Sequence, residues 1–208
     1  YIMRKALEAD FGSEAVVDQP VTYRSSGLAQ ETGVSGIVYH IMGINGATCA
    51  SFSTPENLHA VAGLDPDLII VSFGTNEAHG RNYSAEEHRR QLTSFFTELK
   101  NRCPHAAFLL TTPPGAYMRS GRRGKTINTR TPRVVETEKR FAADNGLALW
   151  DLYDIAGGQE RACRNWTAAN MFQRDRIHFT QEGYVLQGLL LHEAFIKAYN
   201  DYVATKLD

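Results

Sequence analysis

Short apolar runs alternate along the chain with stretches in which apolar residues recur at helical spacing. Four runs are typical of buried strands, because each is short and is followed within a few residues by Gly, Asn or Pro. They cover residues 37–44, 68–73, 106–111 and 147–152. Strands that alternate with helices need crossover connections, so the pattern predicts an α/β fold with a mainly parallel sheet and helices on both faces.

Capping signals and apolar spacing predict the helices between and beyond these strands. Ser84 opens a capping box with Glu87, and the apolar residues that follow it lie on one side of a helix. Further helices are predicted around residues 134–142 and over 184–203, and another over 1–12, which ends at a glycine. Residues 16–35 are polar and glycine-containing, which favours a short strand followed by a long loop.

Composition limits the kinds of protein this chain can be. A length of 208 residues with 43% hydrophobic content suits one domain, which we expect to cover residues 1–208. The net charge of -1 gives no overall field that would attract nucleic acid or an acidic membrane surface. The sequence contains no apolar run of about 20 residues that could span a membrane. Cys49, Cys103 and Cys163 lie far apart, which favours buried thiols, although one disulfide with one free thiol stays open.

Candidate chemistry lies in three turns that follow predicted strands or precede the last helix. In RDRIHFTQEGY, Asp175 could accept from the Nδ1–H of His178 and leave Nε2 as a general base. In GTNE, the amide of Asn76 could donate to a developing oxyanion, and in NGAT the N–H of Gly46 could do the same. Each signal alone is as well explained by an ordinary turn, since Asn and Gly are common in turns.

Together and in this order, GINGATCASF, VSFGTNEAHG and RDRIHFTQEGY resemble the glycine, asparagine and histidine blocks of the SGNH/GDSL hydrolases. The resemblance covers nearly the whole chain and is closest to the bacterial carbohydrate and peptidoglycan O-acetylesterase branch. It implies a flavodoxin-like three-layer α/β/α sandwich. It also implies that Gly46 and Asn76 are oxyanion donors, that His178 is the base and that Asp175 orients it. No metal or cofactor is required, and a periplasmic, cell-surface or secreted location follows from the resemblance alone.

The sequence departs from that family at the first block, because Gly-Asp-Ser, which holds the nucleophile, does not occur. Ser25, Ser26 and Ser35 lie in the polar stretch, and Ser72 lies within a predicted strand, so none fits. The resemblance implies strand order 2-1-3-4-5, in which the absent strand is central. Its loss would leave buried backbone groups unpaired, each costing about 1–3 kcal/mol. We therefore expect an N-terminally incomplete sequence, or a first strand supplied by another segment or chain, and no direct pairing of strands 37–44 and 68–73.

The substrate side is less specific. Residues 117–133, predicted as a loop, contain six basic residues and no acidic one, which suits either a solvated loop or attraction of an anionic glycan. Glu77, His79 and Tyr117 could line the pocket. We expect a serine esterase that removes acyl groups, acetyl foremost, from a small-molecule or glycan ester. A lysophospholipase or thioesterase, and a catalytically inactive glycan-binding module, are the alternatives.

Overall fold

The computed structural model describes residues 16–18, 37–122 and 124–207. The strands and helices of these residues are, in chain order, β1 (Val16–Asp18), β2 (Ile37–Tyr39), α1 (Cys49–Phe52), α2 (Pro55–Ala62), β3 (Leu68–Ser72), α3 (Thr75–His79), α4 (Ala85–Arg102), β4 (Ala107–Thr111), β5 (Tyr117–Ser120), β6 (Gly124–Ile127), α5 (Thr131–Asp144), β7 (Ala148–Trp150), α6 (Leu152–Ile155), α7 (Gly158–Ala168) and α8 (Gln181–Leu207).

Contacts divide the chain into two compact units. Residues 43–178 form one unit, whose parallel sheet has the order β3-β4-β7. The other unit contains residues 37–42 and 179–207, and in it β1 and β2 pair in parallel. Direct pairing of β2 with β3 would have argued against an absent central strand. Among the described residues the two strands belong to different sheets, so this pairing is not found. The absent strand and the single domain both stay predictions.

Aromatic and aliphatic side chains from α4 and α5 form the core of the larger unit. Leu92 and Leu99 of α4 are almost fully buried, as are Val134 and Phe141 of α5. The ring of Phe96 lies 5.3 Å from that of Phe141 and connects the two helices. The helical faces predicted from the apolar spacing are therefore the faces that pack, as expected for amphipathic helices covering a sheet.

The predicted strands, and the predicted helices that fall within the described residues, are confirmed, with shorter strand bounds than the apolar runs suggested. The clearest difference is residues 37–44, where the strand ends at Tyr39 and both Ile41 and Ile44 are exposed. The apolar residues after Tyr39 therefore do not belong to a buried strand, although their composition predicted one. The predicted helix over 1–12 and most of the polar stretch after β1 lie outside the described residues. Cys49, Cys103 and Cys163 are buried free thiols, as predicted.

The prediction of a loop over residues 117–133 is wrong in part. β5 and β6 form an antiparallel hairpin in which Tyr117 pairs with Ile127 and Arg119 with Lys125, and α5 begins at Thr131. The period-two signal of the hairpin is weak because only Tyr117 is buried, while the basic residues facing solvent dominate its composition. Among the described residues, no helix combines the length and the apolar character needed to cross a bilayer.

A carboxyl group lies fully buried beneath the sheet edge at which α3 begins. Glu138 of α5 has no exposed surface, and its Oε1 lies 3.8 Å from Nε2 of His88, which is also buried. Burial, together with the charges of Glu77 and Asp151, raises the pKa of Glu138 well above its usual value. Burial lowers the pKa of His88, against the smaller opposing effect of Glu77. Both groups therefore favour their neutral forms, and the contact is not an ion pair.

Replacing Glu138 by Gln tests this buried acid. A carboxyl whose pKa is raised in the folded state stabilises the protein below the unfolded pKa, here 4.5, and this contribution is lost as pH rises through the folded pKa. Relative to Glu138→Gln, the free energy of unfolding of the wild type should therefore fall above about pH 4.5, by at most about 1.4 kcal/mol per pH unit. Denaturant titrations over a pH series measure it. Glu136→Gln, at an exposed position of the same helix, should show no such decline, and a pH-independent difference for Glu138→Gln would contradict the expectation.

Candidate active site

Asp175 and His178 are in direct contact on the loop between α7 and α8. The Nδ1–H of His178 donates to Oδ2 of Asp175 at 2.6 Å, and the backbone N–H groups of Ile177 and His178 donate to Oδ1 at 2.9 and 3.0 Å. Partial burial opposes ionisation, but these hydrogen bonds outweigh it and lower the pKa of Asp175 to about 2. The carboxylate thus remains an acceptor at neutral pH and fixes the tautomer of His178.

His178 is oriented for proton transfer. With Nδ1–H bound to Asp175, the lone pair of the uncharged imidazole lies on Nε2. This nitrogen makes no hydrogen bond within the described part of the chain. The side chain of His178 is also 55% exposed, so a reacting group can approach it. This geometry suits the predicted role of His178 as a general base, a role that stays a prediction.

Three main-chain hydrogen bonds and one ring contact hold the Asp-His loop in place. The N–H of Arg176 donates to Gln173 O at 2.9 Å, and Gln173 N–H donates to His178 O at 2.8 Å. From the hairpin, Tyr117 N–H donates to Arg176 O at 3.0 Å, and the Arg176 guanidinium lies 5.0 Å from the centre of the Tyr117 ring. Arg176 has a φ of 59°, a strained value for a non-glycine residue, which these contacts stabilise.

The two predicted oxyanion donors lie on turns that touch each other. Gly46 has a φ of 74°, the left-handed conformation that glycine adopts at no steric cost. Its N–H makes no hydrogen bond among the described residues. Asn76 is exposed on the first turn of α3 and donates one Nδ2–H to Ala47 O at 2.7 Å. Its second Nδ2–H is then available to a ligand beside Gly46.

Gly74 is the N-cap of α3, and its position admits only glycine. Its φ is 101°, and a Cβ there would lie 2.7 Å from Oε1 of Glu138 and 2.7 Å from Cγ of Pro113. The glycine of GTNE therefore does more than allow a tight turn, because it brings the backbone against the buried acid described above. This close approach fixes where Asn76 leaves the sheet.

A side chain that lines a substrate pocket faces the solvent, whereas that of Glu77 is buried. It is 8% exposed, and its carboxylate accepts from Cys49 N–H at 2.6 Å through Oε1 and from Gly74 N–H at 2.8 Å through Oε2. Both oxygens are used by the main chain, and the two amides belong to the turns of Gly46 and Asn76. The geometry favours a positioning role for Glu77 over the predicted contact with substrate.

His79 and Tyr117 are likewise engaged within the protein. Nδ1 of His79 lies 2.7 Å from Thr75 O, and Nε2 lies 3.0 Å from Tyr117 O. Tyr117 is 9% exposed and its hydroxyl donates to Cys163 O at 3.2 Å. Because these polar atoms bind main-chain carbonyls, the structure favours positioning roles here too. Tyr117 connects both halves of the site, since its C=O meets the helix of Asn76 and its N–H meets the loop of His178.

The described residues offer His178 no serine partner. Ser25, Ser26 and Ser35 lie outside them, and Ser72, at the exposed end of β3, makes no hydrogen bond to the imidazole. Within the described ranges, no group of three or more His, Cys, Asp or Glu side chains is arranged to hold a metal ion. The thiol of Cys49, close to the site, is a poor nucleophile because burial, and next the charge of Glu77, raises its pKa to about 12.

Sequence reasoning missed the residues that attach the hairpin to the loop. The ammonium of Lys125 on β6 donates to Arg174 O, next to Asp175. The contact of Tyr117 with Arg176 is made by main-chain atoms, which no residue identity reveals. The sequence signal that was available is the absence of any acidic residue among the six basic residues of 117–133. It marked this segment as unusual but did not give its structure.

Comparisons with known proteins show the family and the fold of the chain. The family model described as GDSL-like lipase/acylhydrolase matches residues 9–186. No curated protein matches the sequence. Among solved structures, a peptidoglycan O-acetylesterase is similar at 25% identity with a TM-score of 0.72, over 80% of this chain and 48% of that one. The chain thus spans about half the length of that protein.

Two further structures give the same result for the fold. A lipase/acylhydrolase from Enterococcus faecalis is 27% identical with a TM-score of 0.53, over 72% of this chain and 70% of that one. An acetyl xylan esterase, at 17% identity, has a TM-score of 0.58 over 77% of this chain and 79% of that one, and its likeness concerns the fold alone. The α/β fold with a parallel sheet that the sequence predicts, that of the SGNH hydrolases, is confirmed.

Glu77→Gln tests whether the buried carboxylate aligns the two turns. A Gln amide can accept only through its oxygen and would place its NH₂ against one of the two N–H donors. We expect a loss of about 1–3 kcal/mol in the free energy of unfolding. We also expect kcat to fall by about tenfold to a hundredfold in the full-length protein, because displaced donors no longer meet the reacting oxygen.

The matched control is Glu86→Gln, an exposed glutamate in the first turn of α4, which should leave both quantities within error. Stability is measured by denaturant titration and turnover with an aryl acetate. A Glu77→Gln protein that loses stability yet keeps the wild-type kcat at temperatures where it is folded would show that the carboxylate does not align the donors.

Proposed function

The chain belongs to the GDSL-like lipase/acylhydrolase family, and on this premise we propose that it is a serine esterase acting on acylated carbohydrate. The group removed is acetyl, and the substrate is a glycan or peptidoglycan-type ester. The observation that carries the proposal is the 2.6 Å contact of Asp175 with His178, which leaves Nε2 free for proton transfer. Similarity to a peptidoglycan O-acetylesterase supports the choice of substrate class.

The proposed reaction proceeds through an acyl-enzyme. A serine hydroxyl gives its proton to Nε2 of His178 while its oxygen attacks the ester carbonyl. The tetrahedral oxyanion accepts from Gly46 N–H and from the second Nδ2–H of Asn76. His178 then protonates the departing sugar alcohol, and the same residue activates the water that hydrolyses the acyl-enzyme. Asp175 stabilises the imidazolium in both steps without itself taking the proton.

The nucleophile in this proposal is the serine of a Gly-Asp-Ser block, which residues 1–208 do not contain. We propose that a segment outside these residues, or another chain, supplies it together with the first strand of the sheet. Tests of activity therefore use the full-length protein. Loss of hydrolysis on replacing that serine by Ala, with His178→Gln equally inactive, is the result expected.

The alternative enzymes and the binding module differ from the esterase in what they do to a series of esters. A lysophospholipase or thioesterase needs room for a long acyl chain, whereas the described turns around Gly46 and Asn76 are short and polar. Hydrolysis rates of p-nitrophenyl esters from acetate to laurate separate these alternatives. A preference for acetate supports the proposal, and a preference for laurate supports a lysophospholipase or thioesterase. Glycan binding without hydrolysis of any ester supports the catalytically inactive glycan-binding module.

Asn76→Ala tests the oxyanion role. The change removes a donor that binds the developing negative charge more strongly than the ground-state carbonyl, so kcat should fall by about 10²–10³ with little change in KM. Asn101→Ala, at an exposed position near the end of α4, is the matched control and should keep full activity. A loss of less than about threefold for Asn76→Ala, measured with p-nitrophenyl acetate, would rule out this role.

A further inference from the structure

Basic residues on the helices of the larger unit are mostly paired with acids, whereas those near the Asp-His loop are not. Five arginines of α4, α5 and α7 pair with carboxylates at distances from 2.5 to 3.4 Å: Arg89, Arg90, Arg102, Arg140 and Arg164. On the hairpin and the Asp-His loop, five basic residues have no acidic partner among the described residues: Arg119, Arg122, Lys125, Arg174 and Arg176. We call these five the basic cluster.

The basic cluster includes two residues of the Asp-His loop and is joined to it from the hairpin. Arg174 and Arg176 flank Asp175 in sequence, and the Lys125 ammonium donates to Arg174 O. The only acid in residues 169–181 is Asp175, and its two oxygens are already bound by His178 and by the backbone of the loop. No free carboxylate of this segment is left to neutralise the cluster.

The hairpin brings like charges together in a way that its own stability does not explain. Arg119 lies directly opposite Lys125 in the antiparallel register, and Arg122 lies in the turn between the strands. Like charges directly opposite each other destabilise a strand pair. Arg119 and Arg122 are exposed, and their side chains make no hydrogen bond, ion pair or ring contact with the described residues. Their guanidinium groups are therefore available to a ligand.

We propose that the basic cluster binds carboxylates of the substrate, so that the preferred ester is an acetylated acidic glycan. This inference rests on the esterase function proposed above and narrows its substrate class. A guanidinium binds a carboxylate with two parallel hydrogen bonds, and a glycan with one carboxylate per sugar presents such groups beside the ester at regular intervals. Attraction over the cluster also raises the rate of encounter, an effect that salt screens.

The experiment compares three substrates in the full-length protein: polygalacturonate and neutral xylan acetylated to the same degree, and p-nitrophenyl acetate. The variant is Arg119→Gln/Arg122→Gln, which removes two charges at positions outside the catalytic machinery. The control is Arg90→Gln/Arg140→Gln, which removes the same charge from exposed helix positions that pair with acids.

For the wild type, kcat/KM on acetylated polygalacturonate should exceed that on acetylated xylan by about tenfold and should fall as salt is raised. The hairpin variant should lose about tenfold on the acidic polymer, mainly through KM, and should keep its activity on xylan and p-nitrophenyl acetate within about twofold. The control variant should behave like the wild type. Unesterified polygalacturonate should inhibit the wild type more strongly than the hairpin variant.

Equal activity of the wild type on both polymers, or equal losses in the two double variants, would overturn the inference while leaving the esterase function intact. Loss of p-nitrophenyl acetate hydrolysis in the hairpin variant would overturn it as well, because the cluster would then be needed for the chemistry itself. Absence of hydrolysis of all three substrates by the wild type would instead reject the proposed function.

Discussion

The geometry of the candidate site depends on one buried side chain, Glu77, and the two backbone amides that it binds. Its oxygens accept from Cys49 N–H and Gly74 N–H, which lie in turns 25 residues apart in sequence. A buried acceptor that loses its donors costs about 1–3 kcal/mol, so neither turn can shift without that penalty. Because the turns also hold Gly46 and Asn76, the same two bonds keep the proposed oxyanion donors in register before any substrate arrives.

The opposite side of the site depends on Tyr117 in a comparable way. Its carbonyl oxygen lies 3.0 Å from Nε2 of His79, and its N–H donates to Arg176 O at 3.0 Å. One peptide unit on each side of the Tyr117 Cα therefore links the helix of Asn76 to the loop of His178. The hydroxyl, bound to Cys163 O, keeps the ring inside the protein and stops the hairpin from swinging away from the loop. Rigid support of this kind is what a base and its oxyanion donors need to act on the same carbonyl.

Much of the fold could be predicted because burial leaves a clear record in sequence. The runs around Leu68–Ser72 and Ala107–Thr111 are mainly apolar, as is typical of strands in a parallel sheet. The Asp175–His178 pair could be predicted because only two residues separate the partners. The role of Glu77 could not, since its adjacent Asn76 suggested a shared pocket while its real partners are main-chain atoms distant in sequence. The hairpin escaped prediction because its strands are joined by main-chain pairing and only one of their side chains, that of Tyr117, is buried.

The overall charge of -1 is also a poor guide to the surface of this protein, because it averages two different arrangements. On the helices, a carboxylate three or four residues from each of several arginines cancels their charge locally, as in the pairs of Arg90 with Glu87 and Arg140 with Glu136. On the hairpin, the described basic residues have no such partner in the described part of the chain, and their charges remain uncancelled. Fields in salt extend about 10 Å at 0.1 M, so each surface acts on its own surroundings and not through the sum. Because Lys125 binds Arg174 O, next to Asp175, the hairpin charges lie near the Asp-His loop. A ligand bound at His178 would therefore be exposed to the field of the hairpin more than to that of the helices.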